Sequence, residues 1–193
     1  MVARPFYLYS MKKILFILLL ISQFSYGTVL YPGSTTDISF NPTTGEYSPT
    51  WTIDNPTIHL SSVGFLCHVT AQAYFGGTAT LTCTYKERIG STVNTLTRRW
   101  SFTCIDTKIS ISPTSKDIKV GESFQISWSF DKTTYIAPLL QFNGYDSNII
   151  SVTSDGYVKA KKEGTTNIYV KSDLGTNTAV CSVTVTEQGS SGE

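Results

Sequence analysis

The chain has 193 residues, of which 40% are hydrophobic, 12% aromatic and 15% charged, with a formal net charge of +1. An average soluble chain is about one quarter charged, so this one is charge-poor, and the many aromatics exclude a disordered polyelectrolyte. The near-zero balance excludes a surface built for nucleic acid or anionic lipid, and no sustained 3.6-residue apolar period supports a coiled coil or helical bundle.

In chain order, a secretion signal comes first. Lys12-Lys13 precede an apolar run from Ile14 to Ile21, followed by Ser22-Gln23-Phe24-Ser25-Tyr26-Gly27. A basic start, an apolar segment too short to span a bilayer, and small residues at Ser25 and Gly27 describe a signal peptide over 1–27, cleaved after Gly27. An uncleaved N-terminal anchor is the alternative, and Met11 is a second candidate start. Removing 1–27 leaves 12 basic against 14 acidic residues, a net of −2. No second apolar stretch follows, so the mature chain is expected to be exported, secreted or held at the cell surface, with no membrane span.

Residues 28–105 and 106–187 both read as short strands between Gly, Pro, Asn and Asp turns, the pattern of an all-β sandwich. In the second half the predicted strands are Lys108–Ser112, ending at Pro113, then Asp117–Val120 and the turn at Gly121-Glu122. Next comes a strand with Phe124, Ile126, Trp128 and Phe130 on one face. Ile149–Val152, Tyr157–Ala160, Thr165–Val170 and Ala179–Val185 complete it. The first half carries the same marks. Gly33 with Ile38 and Phe40 matches Gly121 with Ile126 and Trp128. Gly64 with Val69 and Ala71 matches Gly156 with Val158 and Ala160, Gly77–Leu81 matches Gly164–Ile168, and Trp100–Cys104 matches Cys181–Val185. Self-similarity at about 80 residues predicts tandem copies of one domain, joined by the short linker Ile105-Asp106-Thr107 and set end to end with limited bending. The first copy lacks most of an opening strand. Residues 188–193 are expected to be a flexible tail resembling a linker to a further domain; a fragment of a longer surface protein and a stand-alone secreted protein are both open readings.

Ile109–Pro113, Ile118–Glu122, Ile150–Val152, Asp155–Ala160, Gly164-Thr165 and Val180–Val185 together resemble the bacterial Ig-like domain, group 2, the repeat type of invasin and intimin adhesins. In the first copy, Trp51–Pro56 resembles the Trp-containing strand of that family and Gly77–Leu81 its Gly-Thr-Ala-Thr segment; Phe142 stands near the expected Trp in the second. The resemblance implies two tandem immunoglobulin-like β-sandwiches, extracellular and non-catalytic, serving as spacer or adhesive module toward a protein or glycan partner. A carbohydrate-binding accessory module is the alternative.

Cys67, Cys83 and Cys104 lie in the first copy and Cys181 in the second. Strand parity points the first three inward. With Cys83 placed opposite Trp100, Cys104 falls about 13 Å out of register with it, too far to bridge. The expected structural disulfide is therefore Cys67–Cys83, with Cys83–Cys104 or no bridge as alternatives. Cys181 is expected to be a buried thiol. His59 and His68 are the only histidines. Cys67 and His68 are strand neighbours on opposite faces, so they do not form a catalytic pair. Asp131, Asp146 and Asp155 lack the dense spacing of a calcium loop and are expected to be solvated turn carboxylates. No metal site, cofactor or enzymatic constellation is expected. Trp51, Trp100 and Trp128 are expected in cores; Tyr74-Phe75 and Tyr135 are the candidates for exposed, ligand-stacking aromatics.

Overall fold

The computed structural model describes residues 27–187, and every regular element among them is a strand. The expectations for the signal peptide upstream of Gly27 and for the tail at 188–193 lie outside the described residues. In the first half the strands are β1 (Gly27–Leu30), β2 (Thr35–Ser39), β3 (Glu46–Ile53), β4 (Ile58–Val63), β5 (Leu66–Ala71), β6 (Thr78–Ile89) and β7 (Thr92–Cys104). In the second they are β8 (Ile109–Ser112), β9 (Ser115–Lys119), β10 (Ser123–Gln125), β11 (Ser127–Phe130), β12 (Leu140–Asn143), β13 (Ile150–Val152), β14 (Tyr157–Ala160), β15 (Gly164–Ser172) and β16 (Thr178–Thr186).

The first half forms two sheets, β1-β7-β6-β3 and β2-β5-β4; the second forms β9-β16-β15-β12 and β10-β14-β13, with a separate β8-β11 pair. No sheet mixes the halves. Alternating side chains of each pair of facing sheets meet in a core: Ile38, Val69, Ala71, Leu81 and Phe102 in one, Ile126, Val158, Ile168, Val170 and Val183 in the other. These are two tandem immunoglobulin-like β-sandwiches, as the alternation and turn spacing predict.

The repeat extends to individual hydrogen bonds. Gly33 and Gly121 both sit at positive φ, +83° and +90°. The Gly33 amide donates to Ala71 O at 2.6 Å and that of Gly121 to Ala160 O at 3.1 Å. Directly after each glycine a side chain caps the same turn: Ser34 Oγ accepts from the Tyr31 amide at 2.9 Å, and Glu122 Oε2 from the Lys119 amide at 2.8 Å. Ala79 pairs with Phe102 as Thr166 pairs with Val183, and Trp51 pairs with Cys83 as Phe142 pairs with Val170. Phe142 therefore stands at the position of Trp51. One expected match shifts. Val69 and Ala71 do correspond to Val158 and Ala160, but register sets Cys67, not Gly64, at the position of Gly156, because the β4–β5 hairpin is longer than β13–β14.

The opening strand is where the copies part. β1 runs parallel to β7 as β9 runs parallel to β16, so the strand missing from the first sandwich is the counterpart of β8. In the second sandwich β8 packs beside β15 and β16 and delivers Ile109 and Ile111 to the core. The strand expected over 124–130 breaks at Ile126: β10 stays with β14, while β11 crosses over to pair with β8. This crossing turns Trp128 outward, 38% exposed, contrary to its expected place in the core.

The first sandwich closes the same gap with larger side chains. Where β16 has Ala179 and Cys181, β7 has Arg98 and Trp100. Phe40, the counterpart of Trp128, sits among Trp51, Phe65, Tyr85 and Trp100 with ring centroids 4.9–6.2 Å away. The Arg98 guanidinium lies 4.1 Å from the Phe40 centroid, and its Nε donates to Tyr85 Oη at 3.1 Å. Offset and edge contacts of this kind add to the burial of the rings, and the guanidinium caps them with its charge toward water.

One repeat position therefore carries two different loads. Phe40→Ala should destabilise the first sandwich by about 2–3 kcal/mol, whereas Trp128→Ala should cost the second less than about 1 kcal/mol. Urea unfolding followed by circular dichroism checks this; equal costs at the two positions would overturn the account of how the first sandwich closes.

Candidate functional site

Strand alternation decides where each singled-out side chain lies. Cys67 on β5 and Cys83 on β6 are both fully buried, on opposite sheets of the first sandwich, and all four cysteines are unpaired thiols in the structure. Burial pushes the Cys67, Cys104 and Cys181 thiols up. Cys83 is pushed up to about 11 by burial first and by Cys67 second, with Arg98 opposing.

The β6–β7 register differs from the expected one by two residues. Cys83 lies opposite Arg98, not Trp100, and Thr78 lies opposite Thr103, which places Cys104 at the far end of the hairpin from Cys83. The local signal that fixes this register is Gly90-Ser91, a two-residue turn with Gly90 at φ +62° between Ile89 and Thr92, at the tip of a hairpin that runs well beyond the sandwich. Cys104 Sγ instead faces Ala73 O at 3.9 Å.

His68 points away from the Cys67 side chain, and its Nδ1 lies 2.6 Å from Asp37 Oδ1 on the outer face of the sheet. Asp131 accepts from the Lys108 amide, Asp146 from Asn148, and Asp155 from the Thr153 hydroxyl. The three occupy separate turns, and among the described residues no group of three His, Cys, Asp or Glu side chains is placed to hold a metal ion.

The aromatics separate into packed and exposed sets. Phe75 is buried in the first core, contrary to its expected exposure, and Trp51 and Trp100 are half-buried. The exposed ones are Trp128 on β11, Tyr135 in the β11–β12 connection, Tyr157 on β14 and Tyr169 on β15. Those on strands belong to three different sheets, so they do not form the row that a sugar chain would stack along.

The most organised cluster outside the cores is at the junction, which the sequence presents only as a short linker. Asp106 accepts from the Thr176 hydroxyl at 2.6 Å and the Thr176 amide at 2.8 Å. Its carboxyl is held below the usual carboxylate value, first by the Thr176 hydroxyl, then by the Thr176 amide against a desolvation cost, and further by Lys132 and Lys108. Lys132 Nζ donates to Asp106 O at 2.6 Å, and the Thr107 amide, itself buried, donates to Leu174 O. The Tyr74 amide donates to Asp173 O, and Tyr31 meets Tyr135 with centroids 5.8 Å apart. Two glycines make room. A Cβ on Gly33 would lie 2.5 Å from Ile136, and one on Gly175 would collide with the Thr107 carbonyl. Asp106 and Thr107 fasten the linker to the β15–β16 turn of the second sandwich, and the Tyr74–Asp173, Tyr31–Tyr135 and Gly33–Ile136 contacts hold the end of the first sandwich against the second.

No protein-family model matches this chain, and no curated protein matches it. Solved structures with similar strand arrangements include titin domains Z1Z2 in complex with telethonin, at 17% identity and a TM-score of 0.29 over 84% of this chain and 94% of that one. The surface-layer protein SbsC, domains 1–6, is 18% identical with a TM-score of 0.37 over 73% of this chain and 20% of that one. The insect immune protein hemolin is 15% identical with a TM-score of 0.31 over 86% and 50%. Superposition over the whole length is poor in each case, and the immunoglobulin-like character of this chain stands on its own strand topology.

Proposed function

We propose that this chain is a non-catalytic, exported protein that works outside the cell as a spacer or adhesive module, built from two domains that divide at 105/106. The observation that carries this reading is the junction. A flexible tether needs no contacts across that division, yet the Tyr74 amide donates to Asp173 O, Tyr31 packs on Tyr135 and Gly33 leaves room for Ile136. A module that holds a binding surface at a fixed distance needs such contacts. The signal-like N-terminus and the group 2 bacterial Ig-like motifs in 107–186 support export and a bacterial surface role. A glycan-binding role has the exposed tyrosines and Trp128 to draw on, but their scatter over three sheets and a loop favours a protein partner.

In a weakly aligning medium, residual dipolar couplings from both sandwiches should fit one alignment tensor, and Gly33→Ala, whose Cβ would strike Ile136 across the division, should split them into two. Two tensors in the unmodified protein would overturn the rigid-spacer reading. Acid should loosen the junction as well. The Asp106 carboxyl is depressed in the folded chain, so its contribution is complete above the ordinary carboxylate value of about 4 and is lost as pH falls through the lower folded value. Asp106→Asn should leave the alignment insensitive to pH in that range. A broad glycan panel should leave Trp and Tyr fluorescence unchanged; a saturable shift with one glycan would favour the carbohydrate reading instead.

A further inference from the structure

We propose that Cys67 and Cys83 become joined by a disulfide linking the two sheets of the first sandwich, and that the bond is made before the sandwich closes, not in the finished fold. The pair belongs to the first sandwich alone: the equivalent positions in the second are Gly156 and Val170. At Gly156 the space a side chain would take is filled, since a Cβ there would lie 3.1 Å from the Phe142 ring. In the first sandwich the equivalent ring, Trp51, is anchored instead to the extended β4–β5 turn, its Nε1 donating to Gly64 O at 2.9 Å. Cys67 can then carry a side chain into the core on the sheet facing Cys83. Ile38 and Ser62 flank Cys67 in its sheet, and Trp51 and Arg98 flank Cys83 in the other.

Cys104 stands apart from both: its Sγ lies 3.9 Å from Ala73 O, six residues along the chain from Cys67. The residue opposite Cys83 is Arg98, six positions from Cys104 along β7, which is about 20 Å at 3.3 Å per residue, against a Cα separation of about 7 Å that a disulfide tolerates. Cys181 lies in the second core.

The order of events follows from access. Forming the bond removes two protons and two electrons from the thiols. The electrons pass to the disulfide of an oxidised dithiol oxidoreductase or of oxidised glutathione, which leaves as two thiols. Each exchange step needs a thiolate that can reach the oxidant's sulfur. In the closed sandwich both sulfurs belong to residues with 0% exposure, so neither can. The same burial then shields the finished bond from reductants. Formation in the cell rests on the exported reading; the pairing and its timing do not.

The test is oxidative refolding of the reduced, urea-unfolded chain in a glutathione redox buffer, followed by alkylation and non-reducing peptide mapping. A Cys67–Cys83 peptide is expected, with Cys104 and Cys181 recovered as thiols; a Cys83–Cys104 peptide, or no cross-link, would overturn the pairing. The native reduced chain in the same buffer should oxidise at least about 100-fold more slowly, because exchange must wait for opening; equal rates would overturn the timing. Cys67→Ser and Cys83→Ser should each remove the bond, while Cys104→Ser should not. In the reduced chain, Cys83 is raised from 9.0 to about 11, so its stabilising contribution is complete below pH 9 and is lost as pH rises toward 11. The urea midpoint of the reduced chain should fall across that range more steeply than that of the oxidised chain. Material recovered from an exporting cell but lacking the bond, alongside clean formation on refolding, would count against export alone.

Discussion

Each sandwich must seal the long side of its core, where β7 or β16, only part of which is paired to the edge strand β1 or β9, would otherwise leave apolar side chains open to water. The second sandwich seals it with a strand. β8 lies beside β15 and β16 and brings in Ile109 and Ile111, and the residues it covers, Ala179 and Cys181, are small. The first sandwich has no such strand and seals the gap from within, by putting Arg98 and Trp100 at the same two positions and drawing Phe40 into a ring cluster. Apolar burial on the order of 25 cal/mol per Å² makes either solution favourable, and in the first sandwich β1 pairs with β7 over Ser101–Cys104.

Other differences between the copies follow from that choice. Large rings beside β7 need neighbours, and the longer β4–β5 hairpin supplies Phe65 and the Gly64 carbonyl that receives Trp51. With Trp51 held at that turn, the strand facing β6 has room for Cys67 where the second copy needs Gly156. The longer β6–β7 hairpin carries Ile89 and Val93 out beyond the sandwich, both exposed. At the opposite end the first sandwich keeps the turn geometry of the second, Gly33 for Gly121, and uses it to receive Ile136.

The parts of this fold that local chemistry dictates were legible in the sequence. Period-2 alternation marked most strands, and the paired glycines at 33 and 121 marked the repeat, because both need positive φ. Phe142 was correctly aligned with Trp51. What could not be read depends on partners distant along the chain. The alternation of Phe124, Ile126, Trp128 and Phe130 is that of one strand, yet β8 captures its second half and reverses the exposure of Trp128. The β6–β7 register is the exception: its local signal is the Gly90-Ser91 turn, which a pairing set from the core strands alone misses by two. The junction was invisible as a site: Asp106 and Thr176 are 70 residues apart, and neither is unusual in its own surroundings.

In the first sandwich the first described strand lies parallel to the last, β1 against β7; in the second, β8 comes first and it is β9 that lies parallel to β16. Traction applied at the two ends of the first unit therefore runs along neighbouring strands in opposite senses. It stresses the ladder between them in shear, so the hydrogen bonds of that ladder share the tension instead of parting one at a time. The clasp at Asp106 lies on the line of pull between the two ladders.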